Sequence, residues 1–262
     1  METEKNCIVE VRDLTIGYGE RIVLEKLDFS IHSGEIVCIM GDSGCGKSTL
    51  LKHIIGLFEP MKGDILIRGK SIVTADEADK KTIMRSFGVT SQGGALFGSM
   101  SVAENVELPL REYTDLTQQE RMAVVEEKLE LVGLSGFGDY MPSELSGGMR
   151  KRAGLARALV LEPDLLFFDE PSAGLDPVSS AELDRLILKL RDDAGATIVV
   201  ITHELDSIFA IGDRALMLDK ARRTLVADDS PENLLKSSPD PWVKNFMNRG
   251  GLGCKRSFKD YE

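Results

Sequence analysis

EIVCIMGDSGCGKSTLLKHIIGL, residues Glu35–Leu57, carries three patterns in succession. EIVCIM is a short continuous apolar run, as in a strand buried on both faces. GDSGCGKST, Gly41–Thr49, matches G-x-x-x-x-G-K-[ST], and TLLKHIIGL opens from it as an apolar helix. Strand, glycine-rich loop and helix in this order form an anion cradle. Gly41, Gly44 and Gly46 let backbone N–H groups curl around a phosphate, with Asp42, Ser43 and Cys45 between them, and the helix N-terminus adds positive potential. Lys47 supplies a point charge for β- and γ-phosphates, Ser48 offers a hydroxyl to Mg²⁺, and Thr49 completes the loop. The ligand is a nucleoside triphosphate. Cys45 either fills a variable position or, beside Lys47 and a helix N-terminus, has a lowered pKa.

Outward from this core, CIVEVRDLTIGYG and IVLEKLDFSI alternate as half-buried strands, so the chain opens with antiparallel β structure. Apolar runs like EIVCIM recur at Leu165–Phe168 and Thr197–Thr202 with helical patterns between them. The fold class is α/β with a mostly parallel core sheet. From about Gly93 to Leu161 the pattern is wholly helical, which predicts an α-helical subdomain (93–161) inserted into a main domain of residues 1–238. Within it, Thr117 and Glu120 form a capping-box signature, followed by Met122, Val125, Leu129 and Val132 at helical spacing and Gly133 as C-cap. Residues 239–262 read as a C-terminal helical tail, with Trp242 and Phe246 on one face.

LLFFDE ends a buried strand in two acids. In an open parallel sheet ligands sit at the carboxyl ends of strands, so Asp169 and Glu170 emerge beside the phosphate loop. Neighbouring acids there point different ways and divide the work. Asp169 holds Mg²⁺ through its water shell, while Glu170 orients or deprotonates the attacking water. His203 follows TIVVIT at the same sheet edge, within reach of a γ-phosphate. Gln92, after FGVTS, can donate its amide to Mg²⁺ or water. Tyr18, in GYG, is either core or a platform for stacking a base.

ELSGGMRKRAGLARAL, Glu144–Leu159, is harder to read as structure alone. Ser146 is a good N-cap, yet Gly147 and Gly148 weaken the first turn by roughly 1 kcal/mol each relative to alanine. Arg150, Lys151 and Arg152 lie near the positive end of the helix dipole, where cations are disfavoured. An anion docking there would explain both costs. The chain's own phosphate loop already serves its own nucleotide, so this anion is expected to belong to another subunit.

Together these segments resemble an ABC-transporter ATPase subunit along nearly the whole chain. Gly41–Thr49 resemble Walker A, Gln92 the Q-loop, Leu145–Met149 the signature and Leu165–Glu170 Walker B. Ser172–Asp176 resemble the D-loop, His203 the H-loop and Tyr18 the aromatic A-loop. The resemblance implies a P-loop NTPase of ABC type that hydrolyses ATP with Mg²⁺. It further implies a head-to-tail dimer in which Ser146, Gly147, Gly148 and Met149 act on the opposite subunit's ATP. Met149 departs from the usual Gln and cannot close a capping box. Within the family, LSGGMRKR, SQGGALF and SAGLDP resemble the ATPases of Mce/Mla-type phospholipid transporters. That implies separate permease subunits docking around Gly93–Leu108, Mce-type substrate-binding and accessory regulatory partners, and a peripheral place on the cytoplasmic side of the inner membrane. An importer of another solute, such as an amino acid, and a non-transport ABC ATPase are the alternatives.

Bulk properties agree with that reading. Asp and Glu number 43 against 32 Lys and Arg, a balance that argues against a nucleic-acid partner. METEKN does not read as a secretory signal, and no apolar run reaches the roughly 18–20 residues of a membrane span. Cys7, Cys38, Cys45 and Cys254 lack metal-ligand spacing and read as reduced thiols.

Overall fold

The computed structural model describes residues 6–91 and 93–248. Gln92, Cys254 and the tail beyond residue 248 lie outside them. The chain opens with β1 (Cys7–Tyr18) and β2 (Arg21–His32), an antiparallel pair, and continues into β3 (Ile36–Met40) and α1 (Lys47–Ile54). β4 (Lys62–Ile67), β5 (Lys70–Ser71), α2 (Glu77–Arg85) and β6 (Phe87–Thr90) follow. Next come α3 (Val102–Tyr113), α4 (Gln118–Leu131) and α5 (Gly147–Leu159), before β7 (Leu165–Asp169) and α6 (Pro177–Ala194). β8 (Thr197–Ile201), α7 (Leu205–Ile211), β9 (Arg214–Asp219), β10 (Thr224–Asp229), α8 (Pro231–Ser237) and α9 (Pro241–Asn248) complete it.

Two sheets result. One runs β2-β1-β4-β5 with antiparallel pairing throughout. The other runs β10-β9-β3-β8-β7-β6, parallel except for the edge pair β9–β10. The period of two along its central strands divides the interior. Ile36, Cys38, Met40, Leu166, Phe168, Ile198 and Val200 face a core shared with the helices from α3 onward. Val37, Ile39, Leu165, Phe167, Val199 and Ile201 face α1 and the antiparallel sheet. All five residues of β3 are buried, as its unbroken apolar run requires.

β6 and β7 are direct parallel neighbours, so the helical stretch between them leaves the sheet and returns beside its point of exit. Its helices start as their sequence dictates. Thr117 and Glu120 close a capping box at α4, and Ser101 and Glu104 do the same at α3. At α5 Ser146 Oγ accepts from Met149 N–H at 3.2 Å, the half of the box that remains when the third residue is Met. Gly133 adopts φ +71° where a C-cap belongs. The tail helix α9 folds back onto the main core, with Val243 and Met247 wholly inaccessible.

Candidate active site

Because β3, β8 and β7 are consecutive in the sheet, their carboxyl ends deliver the phosphate loop, His203 and the Asp169–Glu170 pair to one edge. There Gly41, Asp42, Ser43, Gly44, Gly46, Lys47, Ser48 and Thr49 line a cavity of about 580 Å³, closed opposite by Glu170, His203, Leu205 and Phe246. Gly46 is indispensable to the cradle. Its φ is +112°, and a Cβ would stand 2.8 Å from Val23 Cγ1 and 2.9 Å from Leu24 Cδ1. Lys47 is buried along the loop, its Nζ donating to Gly41 O at 2.9 Å and Asp42 O at 3.4 Å.

Ser48 Oγ donates to Asp169 Oδ1 at 3.1 Å, joining the start of α1 to the end of β7. Burial pushes the Asp169 carboxyl above its ordinary range, against the Ser48 hydrogen bond, with Glu170 adding repulsion. Glu170 takes φ +50°, the left-handed region that a side chain rarely adopts, and its N–H donates to Ile201 O at 2.8 Å. This turn swings the carboxylate over the cavity. Oε1 lies 2.8 Å from His203 Nδ1, and Oε2 is buried without a partner among the described residues.

A second cavity of about 600 Å³ lies against the other flank of the loop, lined by Tyr18, Gly44, Cys45, Gly46, Thr49, Lys220 and Arg223 among others. Tyr18 is half exposed, which removes the core alternative. Its hydroxyl sits 3.1 Å from Thr49 Oγ1, and the Phe58 ring meets it edge-on at 5.7 Å. Cys45 departs from one of its two readings. Burial raises its thiol pKa, outweighing the lowering by Lys47, and only 1% of the residue is accessible. It fills space beneath Gly41.

Ser146 and Gly147 are exposed, Gly148 and Met149 partly so, and none of them lines the chain's own phosphate cavity. Met149 packs against the core. The cations of this helix answer a different need from the one their sequence position suggested. Arg150 donates to Leu145 O at 2.6 Å, Lys151 donates to Ala173 O, and Arg152 pairs with Glu182. All three are engaged within the chain, so the glycines alone remain as the sign of a docking anion. Asp176, in the D-loop-like segment, caps α6 by accepting from Val178 and Ser179 N–H at 3.0 and 3.1 Å. These hydrogen bonds hold its carboxyl below the usual range.

Leu205, Lys220 and Arg223 had no sequence signal, and Phe246, placed by its spacing on a face of the tail helix, had none that pointed to the phosphate cavity. Each lies on a segment remote from the phosphate loop, or in a turn without periodicity.

Comparison with known proteins agrees with this geometry. The family model described as "ABC transporter" matches residues 24–173. The "Probable ribonucleotide transport ATP-binding protein mkl" of Mycobacterium leprae is 42% identical over 245 residues, 94% of this chain and 70% of that protein. The "Intermembrane phospholipid transport system ATP-binding protein MlaF" of Escherichia coli K12 is 41% identical over 248 residues, 95% of this chain and 91% of that one. Among solved structures, the dimeric post-hydrolysis state of the ATP-binding cassette MJ0796 bound to ADP and Pi superposes with a TM-score of 0.77. It is 31% identical, covering 85% of this chain and 98% of that chain. With the phosphate loop, the acid pair and the histidine gathered at one sheet edge, the chain belongs to the ABC transporter family and is an ATP-binding, ATP-hydrolysing member of it.

Proposed function

We propose that this chain powers phospholipid transport at a bacterial inner membrane, as an ATPase held on the cytoplasmic face by separate permease subunits. One observation carries the hydrolytic part. Glu170 lines the phosphate cavity, with one carboxylate oxygen fixed by His203 and the other buried and unsatisfied among the described residues, an acceptor that calls for a donor when the site is filled. Lys47 and the N–H groups of Gly41–Thr49 bind the β- and γ-phosphates, and Tyr18 stacks the base. Glu170 orients or deprotonates the attacking water, and His203 holds Glu170 and meets the γ-phosphate. Glu170→Gln is expected to retain ATP and lose roughly 10²–10⁴-fold in turnover. Steady-state hydrolysis measured beside nucleotide retention checks this, and near-normal turnover removes Glu170 from the role.

The donors present fit Mg²⁺. Ser48 Oγ and Asp169 Oδ1 are hard oxygen donors 3.1 Å apart, and the buried Asp169 charge gains from a cation beside it. The ion, when bound, neutralises charge on the β- and γ-phosphate oxygens. Gln92 is proposed as a further donor. Ser146, Gly147, Gly148 and Met149 serve the ATP of a second copy, with Asp176 at the same interface. Residues 93–161 act as a helical subdomain, and permeases dock around Gly93–Leu108, where Phe97 is half exposed. Mce-type and accessory regulatory proteins complete the assembly.

Two relatives, at 42% and 41% identity, bear names with different solutes. Phospholipid is favoured because the alignment spans 91% of MlaF but 70% of mkl, and because LSGGMRKR, SQGGALF and SAGLDP resemble the Mla-type ATPases. The chain should co-purify with multi-span membrane proteins, and that complex in vesicles should move labelled phospholipid only with ATP. ATP-driven uptake of a ribonucleotide or amino acid instead would overturn the solute.

A further inference from the structure

Lys151 lies in the opening turns of α5, just past the exposed Ser146 and Gly147. Its side chain runs inward to the backbone that follows β7. Nζ donates to Ala173 O and stands 3.4 Å from Glu170 O. Desolvation lowers its pKa, while Glu204 and Glu170 are the acids that favour its charge. An ammonium spent on two backbone carbonyls is unusual, since a lysine on a partly exposed helix face would ordinarily reach water.

The carbonyl it approaches belongs to the residue whose backbone needs holding. Glu170 is a non-glycine residue at φ +50°, and such a conformation persists only where its surroundings enforce it. On one side its N–H donates to Ile201 O at 2.8 Å. On the other its C=O accepts from Ala173 N–H at 3.3 Å and faces Lys151 Nζ. The same Nζ also grips Ala173 O and so closes the turn that Ala173 N–H makes with Glu170. The direction of the Glu170 carboxylate follows from this backbone, and from the turn as it stands Oε1 lies 2.8 Å from His203 Nδ1.

We infer that Lys151 is a positioning residue for Glu170, clamping the turn after β7 so that the carboxylate points into the phosphate cavity. The inference rests on the reading of Glu170 as the carboxylate that handles water. It also accounts for a lysine near the wrong end of a helix dipole: the cation is there for two carbonyls of another segment.

The test uses the full chain in the assembly that hydrolyses ATP, with four variants: Lys151→Met, Lys151→Arg, Glu170→Gln and Lys151→Met/Glu170→Gln. Single-turnover hydrolysis reads the weak rates. Lys151→Met is expected to lower kcat about tenfold or more while KM for ATP stays within about twofold, the split expected when an interaction matters only to the chemical step. Lys151→Arg, which keeps the donors, should recover most of that loss. In the Glu170→Gln background, Lys151→Met should add less than about twofold, because two residues acting through one group are not additive. Should Lys151→Met melt below the assay temperature, Lys151→Leu, which likewise lacks a donor, takes its place, with kcat expected to fall and KM to hold. Turnover of Lys151→Met within about twofold of the parent, a parallel loss in kcat and KM, or multiplicative losses in the double variant would each overturn the inference. A Glu170→Gln variant that hydrolyses normally would instead sink the reading of Glu170. An inactive Glu170→Gln beside a normal Lys151→Met would sink this inference alone.

Discussion

Several single residues carry a free-energy conflict that the fold resolves in their favour or leaves standing. Asp184 leaves one standing. Its carboxylate is buried between α6 and α7, accepts from Ser207 Oγ at 3.0 Å, and lies near Glu204 and Asp206. Burial first, then those two acids, raise its pKa to about 6 from 3.8. The folded state therefore holds the proton more tightly than the unfolded chain. Stability from this group is full below about pH 4 and is lost as pH rises through about 6. Asp184→Asn keeps an acceptor for Ser207 and removes the charge. It should stabilise by about 1–2 kcal/mol at pH 7.5 and by almost nothing at pH 4, as read by denaturant unfolding at the two pH values. A gain that is independent of pH would refute the titration. Cys45 is the opposite case, a thiol that the fold makes inert. With Cys7 and Cys254 replaced by Ser and the buried Cys38 by Ala, maleimide should label Cys45 at least about tenfold more slowly in the native chain than in denaturant, with or without Mg-ATP. Fast native labelling that nucleotide suppresses would mean the thiol faces the phosphates.

At the scale of elements, α9 is short but heavily engaged. Val243 and Met247 have no accessible surface, Phe246 is 9% accessible, and the Trp242 ring lies 5.7 Å from that of Phe246. Phe246 also lines the phosphate cavity with Leu205 and His203. The helix thus adds to the core and walls the site at once. Burial of three such side chains is worth on the order of 4 kcal/mol after allowance for partial collapse of the unfolded chain. Truncation after Ser238 should lower Tm by on the order of 10 °C and raise KM for ATP. A truncated chain that melts and binds ATP like the parent would make α9 dispensable. α5 works differently, because under the proposed function its N-terminus serves a second copy. Gly147 and Gly148 weaken it, while Arg150, Lys151 and Arg152 repair it through carbonyls and Glu182.

The whole molecule leaves its glycine-rich helix start away from its own phosphate cavity. If each ATP is held between one copy's Gly41–Thr49 and the other's Leu145–Met149, lesions in the two motifs must complement. Lys47→Ala and Ser146→Arg homodimers each have two damaged sites. In the mixed dimer one site receives both lesions and the other receives none. Mixing should restore one ATP-trapping site per heterodimer, measured as vanadate-stabilised nucleotide in tagged, verified heterodimers. Trapping no greater than in either parent would show that Leu145–Met149 does not serve the opposite copy.

Much of this was legible in the residues themselves. The phosphate loop, the capping box at Thr117, the N-cap at Ser146, the doubly buried β3 and the acid pair at the end of β7 are local. Their chemistry lies within a few residues of backbone, where spacing and residue type suffice. The order β3-β8-β7, which brings those local pieces to one edge, came from packing between strands far apart in the chain. So did the inward turn of Cys45, the reach of Lys151 to Ala173, and the approach of Phe246 to a loop some two hundred residues earlier. A side chain's type limits which partners it can satisfy. Which of them it meets depends on how apolar faces close over one another, and that closure joins residues that no local pattern connects.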